Sequence, residues 1–206
     1  MLTSKAVKNV KELEKIYNKN ITDIVRNIAV WHSDLLHPAI KCYVIGNGTS
    51  RAAKNLDKIV HTHTHSKSFS IGCNYIYKEF NPSVIVAQDT KVLIDIAKDG
   101  VEIPVVAPLL KYNWLLQNNY KIKNFYALRF PTFAMTRWKT GELGLYIACL
   151  LGFKHVTAVA FDGGVSNVHR EDDGVSNIDI NITKERIGLL KLSFLNVHIN
   201  NYEDNL

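Results

Sequence analysis

Cysteine is scarce in this chain: three residues, Cys42, Cys73 and Cys149, each set among apolar neighbours. Their odd number and their lack of metal-ligand spacing exclude a disulfide framework and a cysteine-bound zinc fold. A reduced, cytoplasmic setting is the expectation (the host cytoplasm, if the chain is phage-encoded). No apolar run approaches the ~18 residues that a spanning helix needs, so no membrane partner is expected. The lysine-rich, amphipathic N-terminal stretch has no apolar core of the kind a secretory signal carries. Two phosphate-binding signatures are incomplete as well. The turn Gly46-Asn47-Gly48 lacks the third glycine of the dinucleotide fingerprint, and no P-loop lysine follows it.

What is present is a chain of 206 residues, 47% hydrophobic and 21% charged, which fits one globular domain with a core that needs no staples. The net charge of +6 favours an anionic ligand or a polyanionic partner. Residues 1–38 read as a helical lead-in, with one apolar stripe through Val7, Val10, Leu13 and Ile16 and another through Ile21, Ile24, Ile28 and Trp31. From residue 39 to about 200 short β-branched runs alternate with helical patterns. Strands are expected at Lys41–Ile45, Phe69–Asn74, Val84–Ala87, Ile103–Val106, Val156–Phe161 and Val197–Ile199. Helices are expected at Lys91–Lys98, Leu109–Gln117, Gly141–Phe153 and Ile182–Phe194. Pro104 marks its strand as an edge or its own position as a strand start. The alternation predicts an α/β, Rossmann-like fold: a mostly parallel sheet flanked by helices, with ligands at the carboxyl ends of the strands.

Those strand ends carry the candidate site. Gly46, Asn47, Gly48, Thr49, Ser50 and Arg51 follow the first strand as a glycine-containing turn whose N–H groups suit phosphate. Asn74 ends the second expected strand, Asp89 follows the third and Asp162 the fifth; Thr140 and Gly141 open a helix. Asn and Asp are good turn and cap residues, which explains each singly and the set less well. Arg137, Trp138 and Lys139 interleave cations with an aromatic ring beside that helix start, a composition that suits nucleic acid or donor phosphates. His61, His63 and His65 alternate, as three ligands on one strand face would. They run into Ser66-Lys67-Ser68, however, and read better as a solvated loop, so no metal ligands are assigned there. The repeated tetrapeptide Gly164-Val165-Ser166-Asn167 and Gly174-Val175-Ser176-Asn177 lies in a long Gly/Ser/Asp-rich stretch that reads as a lid or acceptor loop.

In this order the motifs resemble those of the bacterial sialyltransferases, glycosyltransferase family 42. Gly46-Asn47-Gly48-Thr49-Ser50 is similar to their GNGPS turn, and Gly72-Cys73-Asn74 with Tyr75 and Tyr77 to the segment after their second strand. Thr140-Gly141, Leu151-Gly152-Phe153 and Phe161-Asp162 are similar to their Ser-Gly helix, LGY step and following strand. The same skeleton occurs in pterin-diphosphokinase-like proteins, motility accessory factors and small phage proteins. The resemblance spans about residues 41–199. It implies a nucleotide-sugar-dependent glycosyltransferase, with Asn47, Ser50, Asn74, Thr140 and Gly141 around the nucleotide of the donor, a UDP-sugar being one candidate. Where the sialyltransferases carry Asn, this chain has Asp89, as the phosphokinase-like branch does. Asp89 could hold ribose hydroxyls or a divalent metal. The resemblance also implies a histidine base in the loop before the last helix, where His169 stands. A histidine suits base chemistry near neutrality, and Asp162 is its rival for that role. Charge and small size point to DNA as the acceptor, with a sugar placed on a hydroxymethylated base. A diphosphokinase and a non-catalytic nucleotide- or DNA-binding module are the alternatives.

Overall fold

In the computed structural model the described residues are 41–61, 68–128, 138–161 and 180–201. The expected lead-in over 1–38, the histidine-rich stretch after His61 and the Gly/Ser/Asp-rich loop lie outside them. The strands are β1 (Lys41–Ile45), β2 (Phe69–Cys73), β3 (Val84–Val86), β4 (Val105–Pro108), β5 (Phe125–Leu128), β6 (His155–Val159) and β7 (His198–Asn201). The helices are α1 (Leu56–His61), α2 (Thr90–Lys98), α3 (Leu109–Gln117), α4 (Thr140–Leu150) and α5 (Ile180–Ser193), with 3₁₀ turns at Thr49–Ala53 and Asn74–Lys78.

The strands form one sheet in the order β5-β4-β3-β2-β1-β6-β7, and every pairing is parallel. This explains the sequence of the central strands. Covered on both faces, β1 buries Cys42, Tyr43, Val44 and Ile45 in succession, and β3 is simply Val84-Ile85-Val86. Side chains alternate between two faces. Cys42 and Val44 join the cluster under α4 and α5, with Leu143, Ile147 and Leu190. Tyr43 and Ile45 pack with Leu56 and Val60 of α1. Farther along that second face, Val92, Leu93 and Ile96 of α2 and Leu115 of α3 cover Ile85 and Val105.

The division of helices follows from handedness. Crossovers between parallel strands are right-handed. From β1 to β5 the chain steps outward in one direction, so α1, α2 and α3 share a face. After β5 it returns past β1 to β6, and α4 falls on the opposite face. The direction of winding therefore reverses between β1 and β6, the place where ligands bind in open α/β sheets. Helix α4 is apolar on most of its circumference because the sheet lies on one side and α5 packs against it.

The structure amends several expected boundaries. Strand β4 begins directly after Pro104 and lies between β3 and β5, so Pro104 marks a strand start and not a sheet edge. The edge on that side is β5, Phe125–Leu128, a strand absent from those expected. Helix α4 ends at Leu150 and not at Phe153, where the turn Leu151-Gly152 leads into β6. Strand β2 stops one residue before Asn74, and β6 stops at Val159. Both stops have a backbone cause: Asn74 and Ala160 take left-handed φ values of 53° and 55°. No extended strand continues through that conformation. Among the described residues, no helix is long and apolar enough to cross a membrane.

Candidate functional site

Register places the candidate residues on one rim. Ile45 of β1 pairs with Gly72 of β2 and with Val159 of β6. Asn47, Asn74 and Phe161 therefore each stand two residues beyond that register row, at the carboxyl edge of three neighbouring strands. Cys73 pairs with Val86, which brings Gln88 and Asp89 to the same edge beyond β3. Hydrogen bonds carry the rim to the start of α4, because Gln88 Nε2 donates to the Trp138 carbonyl at 2.9 Å.

The turn after β1 is clamped to β6. Gly46 N donates to Val159 O at 2.8 Å and Gly48 N to Ala160 O at 3.1 Å. A Cβ on Gly46 would lie 2.6 Å from Ala160 O, and a Cβ on Gly141 would lie 2.9 Å from two carbons of the Phe161 ring. Both glycines are thus required by close approach. Phe161 packs against the first turn of α4 and beside Gly46, joining β1, β6 and α4.

Arg51 is turned inward, 1% exposed. Its Nη1 donates to Gly46 O at 2.9 Å and to Asn47 Oδ1 at 3.1 Å; its Nη2 pairs with Glu79 Oε1 at 2.8 Å. The expected contact between this guanidinium and donor phosphates is therefore corrected: the side chain forms the floor of the turn. Burial pushes the Cys73 thiol up to about 12, and the nearby Arg51 charge opposes that shift. Arg51 thus lies beneath the ends of both β1 and β2. Thr49 is exposed, Ser50 and Asn47 are half-buried, and Gly48 is buried.

Asn74 is buried in its left-handed conformation, and among the described residues its Oδ1 has no hydrogen-bond partner. A non-glycine in that region costs ~1–2 kcal/mol. A buried unsatisfied polar atom costs ~1–3 kcal/mol more. Strain of this kind gathers where a ligand is held. The expected result is that Asn74→Gly raises the unfolding free energy by about 1 kcal/mol while it weakens ligand binding. Paired urea denaturation and ligand titration check this; a loss of stability equal to that of an ordinary core truncation would contradict it.

Asp89 is exposed at the N-terminus of α2, where its carbonyl accepts from Leu93 N. It faces a tyrosine-carboxylate group. Tyr75 donates to Asp95 and Tyr77 to Asp99, each at 2.7 Å, with Lys78 over both rings. Burial first, then its bond to Asp95 and the neighbouring carboxylates, pushes the Tyr75 hydroxyl up to about 12.

At the start of α4, Thr140 is buried and Gly141 half-buried. The first turn is organised by Glu142, which sequence reasoning passed over. Its Oε2 accepts from Lys139 N at 2.9 Å and from Arg186 Nη1 of α5 at 2.7 Å. Glu142 is 1% exposed, and its Oε1 has no partner among the described residues. A glutamate three residues after a helix start is a capping signal; here lysine holds the cap position, so the pattern is incomplete in the sequence. Arg186 carries no local signal. Burial lowers the pKa of Lys139, with Glu142 opposing and Arg186 reinforcing the shift.

Two expected nucleic-acid contacts change character. Trp138 is buried and meets Tyr146 edge-on, with ring centroids 6.5 Å apart, so the ring is a core element and not a surface platform. Lys139 is half-buried. Arg137, Asp162 and His169 lie outside the described residues, although Asp162 directly follows Phe161 in the chain. Four strand ends and one helix start thus meet on one rim, and the chain is an α/β protein of Rossmann-like arrangement. No protein-family model matches the sequence, and no curated protein matches it.

Proposed function

We propose that this chain is a nucleotide-sugar-dependent glycosyltransferase whose donor lies across the carboxyl ends of β1, β2 and β6. The observation that carries this reading is Asn74: a strained, buried asparagine whose acceptor has no partner among the described residues, beside the point where the sheet reverses its winding. Its Oδ1 suits a ribose hydroxyl or a base N–H. In the turn 46–50 the N–H groups of Gly46 and Gly48 are taken by β6 carbonyls, so the diphosphate is met by the Asn47 side chain and by the start of α4, the positive end of an eleven-residue helix. Asp89, exposed on the same rim, is available for ribose hydroxyls or a divalent cation.

Transfer needs a base for the acceptor hydroxyl and stabilisation of charge on the departing phosphate. The turn and the α4 terminus supply the second. His169 or Asp162 supplies the first: Asp162 comes three residues after the last residue of β6, and His169 belongs to the segment that leads into α5. The acceptor we propose is a hydroxymethylated base of DNA, drawn by the net charge of +6 and extruded from its stack before reaction. With the Trp138 ring buried, the strand contact in this region falls to Arg137 and Lys139.

A thermal-shift panel of nucleotide sugars tests the donor. A ligand at a hundred times its Kd stabilises the native state by about 2.7 kcal/mol. For a chain of this length that is a rise in Tm of roughly 5–10 °C. At least one nucleotide sugar, UDP-sugars included, should produce it. If ATP with Mg²⁺ shifts the transition and no nucleotide sugar does, the diphosphokinase reading replaces this one, with Asp89 and Asp162 as the metal-binding pair.

A further inference from the structure

Asparagine is ambiguous as a ligand contact, because one end of its carboxamide donates and the other accepts. At Asn47 the fold resolves the ambiguity from behind. We propose that Arg51 is a positioning residue that fixes the polarity of Asn47, so that this side chain meets its ligand as a hydrogen-bond donor. The inference rests on the donor reading above and specifies which group that site selects.

The argument starts from the guanidinium, which has donors only. Nη1 donates to Asn47 Oδ1 at 3.1 Å and to Gly46 O at 2.9 Å, while Nη2 is held by Glu79 at 2.8 Å. A buried side chain anchored at both terminal nitrogens cannot swing away to follow Asn47. With Oδ1 committed to an arginine, the reverse orientation of the carboxamide would set its NH₂ against a cationic donor. That flipped state is excluded by repulsion as well as by a lost bond. The NH₂ is therefore the end left for the crevice, where Asn47 is half-buried at the rim.

A fixed donor selects a ligand group made of acceptors. Phosphate oxygens qualify; sugar hydroxyls and base edges, which mix donors and acceptors, are discriminated less well. Asn74 has the opposite polarity at the neighbouring strand end, a buried Oδ1 acceptor with no partner among the described residues. The rim thus has a sense of direction: the diphosphate belongs over β1, and a group bearing hydroxyls or N–H belongs over β2. Arg51 adds positive charge beneath the β1 turn without meeting the ligand.

Asn47→Asp isolates the polarity. Aspartate keeps the bond from Arg51 and strengthens it by charge, yet it presents a second acceptor to the crevice where the amide donated. Calorimetric titration with inorganic pyrophosphate and with UDP-glucose should show N47D binding each at least about tenfold more weakly than the wild type. Its Tm should be unchanged or higher. R51M should weaken both probes similarly, and the double variant should be no worse than either single one, because both changes act through one amide. If N47D binds both probes like the wild type, the polarity assignment is overturned and the donor reading stands. If the wild type binds neither probe, and the nucleotide-sugar panel is also silent, both fall. Additive losses in the double variant would reduce Arg51 to a purely structural support. Should R51M fail to fold, N47D decides the matter alone.

Discussion

Replacing Arg186 with methionine is expected to cost the fold about 3–5 kcal/mol, because it strands a buried carboxylate. Glu142 is almost fully buried, and one of its oxygens already lacks a partner among the described residues. The other, Oε2, is shared between Arg186 and the Lys139 N–H. Without the guanidinium, the Lys139 N–H and the charge of the half-buried Lys139 side chain are left to hold a carboxylate taken out of water. The double variant Glu142→Met with Arg186→Met should recover most of the loss, because two apolar side chains of similar volume replace the pair. Urea denaturation of the two single variants and the double variant gives the coupling directly. An unfolding free energy for R186M within about 1 kcal/mol of the wild type would refute the stranded-charge argument. The consequence for the site is geometric. This ion pair ties the first turn of α4, with Thr140 and Gly141, to α5, which takes up the chain after His169. A double variant that regains stability but not ligand affinity would separate these two roles.

The second large effect is expected at Gly46. Gly46→Ala puts a methyl group 2.6 Å from the Ala160 carbonyl oxygen, and the obstacle is backbone. No side-chain rotation relieves it. The turn must withdraw from β6, which breaks or stretches the bonds from Gly46 N to Val159 O and from Gly48 N to Ala160 O. Overpacking of this kind costs ~1–3 kcal/mol, and each weakened hydrogen bond adds ~0.5–1.5 kcal/mol. A total of about 2–6 kcal/mol follows. The change should also weaken any ligand held by the 46–50 turn, since Arg51 bonds the Gly46 carbonyl and the Asn47 side chain from the same terminal nitrogen. Thermal denaturation and titration with the nucleotide sugar that gives the largest shift check both parts. A stable G46A with intact binding would show that the clamp between β1 and β6 is dispensable.

Alternating apolar runs and amphipathic stretches, read along the chain, determine the α/β class, most of the strands and all the longer described helices. Periodicity and propensity are local, so Val84-Ile85-Val86 declares a buried strand and Val92-Leu93-Ile96 a helix face without reference to the rest of the molecule. The polar residues at strand ends are legible for the same reason: Asn47, Asn74 and Asp89 interrupt apolar runs. What local pattern leaves open is which side of those residues faces the rim and which faces inward. Arg51 looks like a phosphate ligand in the sequence and proves to be the buried support of a turn, because its partner Glu79 comes from another strand's connection. Trp138 looks like a stacking platform and is covered by Tyr146. Glu142 and Arg186 lie forty-four positions apart and make one contact. Long-range pairing of this kind leaves no periodic trace, because it depends on strand order and helix placement, and only the assembled sheet with its reversal between β1 and β6 decides those.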